Sequence, residues 1–99
     1  MKGIEFIRTL ISRYYYGVFH YAKERLISKG YKERIFEVPN IHNFIRRLIE
    51  KEYKNPKVDS YFRQLFALRI QADYKLSKRI DYKHLKQAKL LSKILVGLL

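Results

Sequence analysis

The stretch SRYYYGVFHYAK, Ser12 to Lys23, decides the fold. It has three consecutive tyrosines and no proline, and only Gly17 interrupts its helix formers. The same pattern extends on both sides, from about Gly3 to Lys29, and Gly30 supplies a stop signal. The stretch therefore predicts that a long helix, not a strand, begins the chain.

Three further helices are predicted downstream. Asn40 is a suitable N-cap for a second helix, IHNFIRRLIEKEY, at 41–53. A third runs from about Pro56 or Val58 to Leu76, and a fourth extends from an N-cap at Asp81 almost to the C-terminus. Strand-like alternation of useful length is absent, and the connections are short enough to make neighbouring helices antiparallel. We therefore predict an all-α, up-and-down antiparallel four-helix bundle.

Length and composition limit the classes of protein that fit. Ninety-nine residues predict one domain, 1–99, and an apolar share of 47% is typical of a globular chain. No apolar run approaches the roughly 20 residues of a membrane span, and no secretory signal is recognisable. The chain has no cysteine, so disulfides and thiolate metal sites are excluded. We expect a cytoplasmic protein without a membrane contact.

The charge is the strongest feature of the composition. Twenty-two Lys and Arg against nine Asp and Glu give a net charge of +13. Such a surface attracts polyanions, so nucleic acid is the leading partner. A basic surface that binds an acidic protein, or nothing, is the alternative.

The first helix has two distinct faces at 100° per residue. One is a core stripe, formed by Ile4, Ile7, Ile11, Tyr14, Tyr15, Val18, Ala22 and Leu26. Arg13 and His20 lie opposite, separated by about 20° around the axis and about 10 Å along it. Phe6, Leu10 and Gly17 lie near them, with Tyr16 at the edge.

This second face is too apolar for a solvated helix surface. A second copy of the chain would cover it and bring two Arg13 and two His20 side chains into one cleft. Gly17 would let the partner backbone or a ligand approach closely. The alternative is a set of individually exposed aromatic side chains.

Two motifs resemble the HEPN family (higher eukaryotes and prokaryotes nucleotide-binding). Ser12, Arg13, Tyr15, Tyr16, Phe19 and His20 match a branch whose helix has the pattern Ser-Arg-x-Tyr-Tyr-x-x-Phe-His. LRIQADY, Leu68 to Tyr74, is similar to the Leu-Arg-x-x-Ala-Asp-Tyr segment of that branch. His42 resembles a histidine often found at the second helix. The resemblance covers about Ile11 to the C-terminus.

The resemblance implies a dimeric α-helical bundle, often paired with a minimal nucleotidyltransferase as a toxin–antitoxin module. Toxin-like members are metal-independent endoribonucleases with Arg and His at the dimer cleft. We assign proton transfer to His20 and phosphate binding to Arg13. Tyr16, Gly17 and Tyr21 are the predicted substrate-binding residues.

Two differences from the family keep a second hypothesis open. Members of this branch usually have a helix before the signature helix, whereas this helix begins near the first residue. Ribonuclease-active members often have a polar residue where this chain has Tyr14. A noncatalytic module that binds a nucleotide, RNA or a nucleotidyltransferase is therefore the alternative.

The remaining polar candidates have expected structural roles. Asp73 pairs with Arg69 at i,i+4 or orients Arg13, and Tyr74 belongs to the same supporting group. His42 caps or packs at a helix start, and His84 is exposed. Three scattered histidines predict no metal site, and without a glycine-rich phosphate loop we expect no cofactor.

Overall fold

The computed structural model describes residues 2–31, 40–74 and 79–99, and these contain four α-helices and no strand. The helices are α1 (Lys2–Leu26), α2 (Ile41–Tyr53), α3 (Pro56–Tyr74) and α4 (Tyr82–Leu98). They pack around a shared apolar core, which confirms the predicted all-α four-helix bundle. Residues 32–39 of the predicted first connection, and the predicted core residues Ile4 and Leu76, lie outside what is described at side-chain level.

α1 contacts the other three helices and supplies the largest share of the core. Its buried side chains recur every three or four residues, as the helical period requires: Ile7, Ile11, Tyr15, Val18, Ala22 and Leu26. Tyr14 is half-buried and packs against this core. Phe19 is also buried, which the sequence did not predict, because its ring stacks on Tyr15 one turn earlier, at 6.1 Å between centroids.

The helix ends follow local chemistry. α1 widens into a π-helical turn, Ile27–Tyr31, in which Gly30 has φ 100°. This left-handed conformation, which glycine adopts at little cost, stops the helix near the predicted position. α2 begins after Asn40, whose side chain accepts a hydrogen bond from the Asn43 N–H at 3.4 Å. It ends at Lys54, which has φ 51° and donates to the Glu50 carbonyl.

The helix directions follow from contacts between their ends. Arg8 in α1 donates to the Ala72 carbonyl near the end of α3, so α1 and α3 are antiparallel. α2 and α3 form an antiparallel hairpin across Lys54 and Asn55, and α4 runs antiparallel to α3. The Leu99 carbonyl, at the end of α4, accepts from Arg25 near the end of α1. α1 and α4 therefore run in the same direction.

α1 and α2 also share a direction, which differs from strict alternation along the chain. Tyr15 contacts His42 at the start of α2, and Tyr31 donates to Glu52 at its end. The physical reason is the separation of Tyr31 and Asn40 by nine positions. That length exceeds what a tight helix hairpin needs, so the two helices are not forced to be antiparallel.

A reciprocal cap starts α4. The Asp81 carboxylate accepts from the Lys83 N–H at 3.0 Å, and Nδ1 of His84 accepts from the Asp81 N–H at 3.2 Å. His84 was expected to be exposed, but this hydrogen bond holds it half-buried against the helix start. The predicted N-cap at Asp81 is present, with His84 in the place that Glu or Gln usually takes.

Replacing Asp81 tests this cap. Asp81→Ala removes the acceptor for the helix N–H groups and should lower the free energy of unfolding. Asp81→Asn keeps an acceptor and should lower the free energy of unfolding less than Asp81→Ala does. Urea unfolding followed by circular dichroism measures both variants, and equal losses would contradict the capping role.

Candidate functional site

Four residues form the α1 outer face, which we define as Phe6, Arg13, Gly17 and His20. All four are exposed, and Phe6 keeps 62% of its surface accessible. Their position opposite the buried stripe agrees with the placement expected from helical spacing. Leu10, expected beside them, is half-buried. The described part of the chain therefore leaves an apolar aromatic ring, a cation and an imidazole together at the surface.

Arg13 borders a shallow depression between the start of α1 and the end of α3. Ser12, Ala72 and Asp73 line the same depression, whereas His20 does not. Among residues 2–31, 40–74 and 79–99, none forms a hydrogen bond or ion pair with the Arg13 guanidinium. Its planar fork of donors, which matches phosphate geometry, is thus available to a ligand.

His20 lies one turn above Tyr16 on α1. Its ring meets Phe19 edge-on at 5.5 Å and lies 6.3 Å from the Tyr16 ring. These contacts involve the faces and edges of the rings, and no described residue forms a hydrogen bond with the ring nitrogens of His20. The ring nitrogens are thus open to a ligand, as a proton-transfer role requires.

Arg69 is the buried cation of the bundle, with only 8% of its surface exposed. Four rings surround it, and we call this arrangement the Arg69 cage. Its guanidinium carbon lies 5.7 Å from the Tyr15 ring, 5.1 Å from Tyr16, 6.0 Å from Phe66 and 5.2 Å from Tyr74. The electron-rich ring faces partly replace the water that the guanidinium loses.

Polar contacts complete the Arg69 cage. The Nη2 group donates to the Tyr16 hydroxyl at 2.6 Å and to the Tyr74 hydroxyl at 3.4 Å. Nε lies 3.0 Å from the Asp73 carboxylate, but its N–H is not aimed along a hydrogen bond, so this contact is ionic. Asp73 also accepts from the Ser12 hydroxyl at 3.2 Å. The i,i+4 pair expected from the sequence is therefore present.

The contacts of Asp73, Tyr74 and the two predicted substrate-binding tyrosines differ in part from the roles expected from the sequence. Asp73 contacts Ser12 rather than Arg13, so it acts on the residue next to Arg13 and not on the guanidinium. Tyr74 is 67% exposed, but its ring and hydroxyl both contact Arg69. The hydroxyl of Tyr16 is engaged by Arg69, and its half-buried ring packs against Phe19 and His20. Tyr21 is exposed about 100° around the helix from His20.

His42 has a larger role than the sequence indicated. Its Nδ1 lies 2.8 Å from the Tyr15 hydroxyl, and its ring lies 4.5 Å from Phe19. Burial raises the pKa of Tyr15 far above its usual range, so the phenol stays protonated and shares a hydrogen bond with Nδ1. Burial first, and then the positive Arg69 and nearby His20, lower the pKa of His42. The lowered pKa favours the neutral imidazole.

The spacing of Arg69 in the sequence indicates that this residue lies in the core, as in the Arg69 cage. Arg69 follows Phe62 by seven residues and Leu65 by four, which places a cation in the core register of α3. A charge in that register requires a partner, and the tyrosines of the first stretch were available. No comparable signal existed for His42, because its partner Tyr15 is 27 residues away on another helix.

Comparison of the chain with family models, curated proteins and solved structures gives no match. None of the helices in the described ranges is long and apolar enough to cross a membrane. Across those same ranges, no three His, Asp or Glu side chains come together as potential metal ligands. The geometry of the α1 outer face and of the Arg69 cage is therefore the basis for assigning a function.

The Arg69 cage can be tested by truncating its cation. Arg69→Ala leaves Asp73 without its ion pair and Tyr16 without a donor, and should lower the free energy of unfolding by about 2 kcal/mol. That value is below the loss for a fully buried pair because the Asp73 side chain keeps 26% exposure.

Arg63→Ala is the matched control for this truncation. Arg63 forms an i,i+4 pair with Asp59 on the same helix, but its side chain is 60% exposed, so the loss should stay below about 0.5 kcal/mol. Chemical denaturation of both variants measures the difference. Similar losses would show that the aromatic surroundings of Arg69 add nothing to stability.

The histidine at the start of α2 predicts a pH dependence of stability. His42 has a lowered pKa in the fold, so below about pH 6.5 the unfolded chain binds a proton that the folded chain excludes. Stability should be full above that pH and fall as the pH drops below it.

His42→Asn removes this titration and should flatten the dependence in that range. Denaturation midpoints across the pH range measure both proteins. An unchanged slope in His42→Asn would contradict the assignment.

Proposed function

We propose that this protein is a metal-independent endoribonuclease of the HEPN toxin type, acting as a homodimer. One observation carries the proposal. Arg13 and His20 lie exposed on the same face of α1, without a hydrogen-bonding or ionic partner among the described residues, in a chain of net charge +13. A phosphate-binding fork and a proton-transfer group remain available where the protein's field attracts a polyanion.

Arginine and histidine can supply the groups that metal-independent RNA cleavage requires. His20 of one copy takes the proton from a 2′-hydroxyl, and the freed oxygen attacks the adjacent phosphorus. The bond from phosphorus to the 5′-oxygen breaks, and the second His20 donates a proton to that oxygen. The products are a 2′,3′-cyclic phosphate and a 5′-hydroxyl end. Arg13 binds the phosphate and stabilises the charge that develops on its oxygens.

Gly17 supports a partner at the α1 outer face. A glycine inside a helix costs about 1 kcal/mol relative to alanine. A Cβ atom built on Gly17 would meet nothing within 4 Å in the described part of the chain, so the fold itself does not require this glycine. Close approach of a second α1 helix or of a ligand would explain its presence. A two-fold contact there brings both copies of Arg13 and His20 together.

The proposal includes a partner and a compartment. Cleavage of cellular RNA would harm the host, so a small nucleotidyltransferase acting as antitoxin fits this role, as the HEPN resemblance implies. RNA as substrate assigns the activity to the cytoplasm.

A noncatalytic binding module is the second candidate, and one observation favours it. Arg13 borders a depression that His20 does not line, so a nucleotide phosphate could bind to Arg13 alone. In that case the face would hold a nucleotide, RNA or the nucleotidyltransferase partner without turnover.

Cleavage of labelled RNA in the presence of EDTA tests the primary proposal. Wild-type protein should cut the RNA, and Arg13→Ala and His20→Ala should each lower the rate by at least about a hundredfold. Arg47→Ala, which removes an exposed arginine from α2, should keep wild-type activity. Equal rates for all four proteins would reject the assigned site. Salt-sensitive binding without any turnover would instead support the binding module.

Gly17→Ala tests the dimer separately. The variant should be more stable by about 1 kcal/mol, because alanine favours the helix and fits the open space. If a second copy packs on Gly17, the same variant should dimerise more weakly in light scattering and cleave RNA more slowly. A wild-type monomer at micromolar concentration would contradict the shared cleft.

A further inference from the structure

α4 has a charge pattern that the other helices lack. Between Tyr82 and Leu98 it contains four lysines and no Asp or Glu. The lysines at 83, 86, 89 and 93 are all exposed. Asp81, the carboxylate that immediately precedes α4, is engaged in capping the helix. Nothing within α4 therefore neutralises its surface charge.

Many cations on the other helices have protein partners. Arg25 donates to the Leu99 carbonyl, Arg46 and Arg63 pair with Asp59, and Arg69 pairs with Asp73. By contrast, no residue in the described ranges forms a hydrogen bond or ion pair with the side-chain ammonium group of any of the four α4 lysines. The structure thus separates cations that stabilise the bundle from cations that face solvent.

Four residues of α4 form one continuous surface, which we call the α4 lysine stripe: Tyr82, Lys86, Lys89 and Lys93. Their spacing of four, three and four residues keeps them within about 60° of one another around the helix and over about 16 Å along it. Tyr82 at the first position is 67% exposed. The stripe combines three flexible ammonium groups with one accessible aromatic ring.

The apolar residues of α4 are divided between the core and the surface. Ala88, Leu91 and Leu95 form a continuous face that is buried in the bundle core, whereas Leu90, Val96 and Leu98 are exposed. A helix that binds a membrane surface inserts a continuous apolar face, and in α4 that face is occupied by the core. The exposed chemistry instead matches a strand of phosphates with unpaired bases, since lysine binds phosphate and tyrosine stacks on bases.

We propose that the α4 lysine stripe binds the sugar–phosphate backbone of single-stranded RNA, with Tyr82 stacked on an unpaired base. The stripe is a binding surface separate from Arg13 and His20. The choice of RNA among polyanions rests on the proposed function. The stripe itself binds without sequence preference, because its contacts are to phosphates and to a ring face that any base can cover.

Fluorescence anisotropy with a 2′-O-methylated oligouridine tests the proposal, because this probe keeps the phosphates but cannot be cleaved. Replacing Lys86, Lys89 and Lys93 together by Gln should weaken binding about tenfold or more at about 0.1 M salt. The slope of log affinity against log salt should fall by about 2, since each single-strand phosphate contact contributes about 0.7. Glutamine preserves helix propensity, and circular dichroism verifies the fold.

The matched control removes the same charge elsewhere. Arg47, Lys51 and Lys57 are exposed, lie on α2 and α3, and have no ion-pair partner among the described residues. Replacing these three by Gln should leave affinity within about twofold and the salt slope nearly unchanged. Equal losses in both triple variants would overturn the proposal, because net charge alone would then explain binding.

Tyr82→Ala separates stacking from charge. It should weaken binding about fivefold or more while leaving the salt slope unchanged. An unchanged affinity would overturn the role of Tyr82. Binding to vesicles of phosphatidylserine, without binding to the oligouridine, would overturn RNA as the partner.

The catalytic proposal and the proposal for the α4 lysine stripe are tested by different variants, so either can be rejected without the other. His20→Ala should lose cleavage but keep affinity for the oligouridine, whereas the triple lysine variant should lose affinity but cleave at the wild-type rate when RNA is saturating. Loss of affinity in His20→Ala, with full affinity in the triple lysine variant, would place the binding surface on α1 and overturn the stripe.

Discussion

Burial of the Arg69 guanidinium is the constraint on which the rest of the structure depends. A cation with 8% exposure must find its partners inside the bundle, and here they come from two helices. Tyr15 and Tyr16 of α1 contact it from one side, and Phe66, Asp73 and Tyr74 of α3 from the other. Because hydrogen bonds are directional, Arg69 fixes the register of α3 against α1 more strictly than apolar packing would.

That register determines which residues of α1 face outward. Arg69 holds the Tyr16 hydroxyl towards α3, and Asp73 holds Ser12 on the same side. Arg13 follows Ser12 directly, and His20 follows Tyr16 by one turn, so both are carried to the exposed side of a rigid helix. The candidate site is thus positioned by contacts that it does not itself make. A helix supplies the precise placement that a functional constellation requires.

The sequence predicted what depends on local chemistry, and it missed what depends on contacts distant in sequence. The caps at Asn40 and Asp81 and the stop at Gly30 follow from short-range preferences, and all are present. Strict alternation of direction did not follow, because spacing alone does not reveal that α1 and α2 run the same way. The hydrogen bond between Tyr15 and His42 could not be predicted from the sequence either, since only the folded bundle brings these helices together.

The cations that produce the net charge of +13 do not all contribute equally to the attraction of a polyanion, because some of them are paired with carboxylates. Within the described chain, Arg69 is compensated by Asp73, and Arg46 and Arg63 share the single carboxylate of Asp59, so the contribution of these three cations to long-range attraction is reduced. Arg13 on α1 and the lysines of α4 lack such compensation, so they contribute fully to the field that a polyanion meets, as do other exposed cations such as Arg47 on α2. A site that cleaves RNA needs precisely placed catalytic groups, whereas a surface that binds RNA needs only positive charge on side chains long enough to contact the phosphates. The rigid, aromatic-lined α1 suits the first task, and the flexible lysines of α4 suit the second.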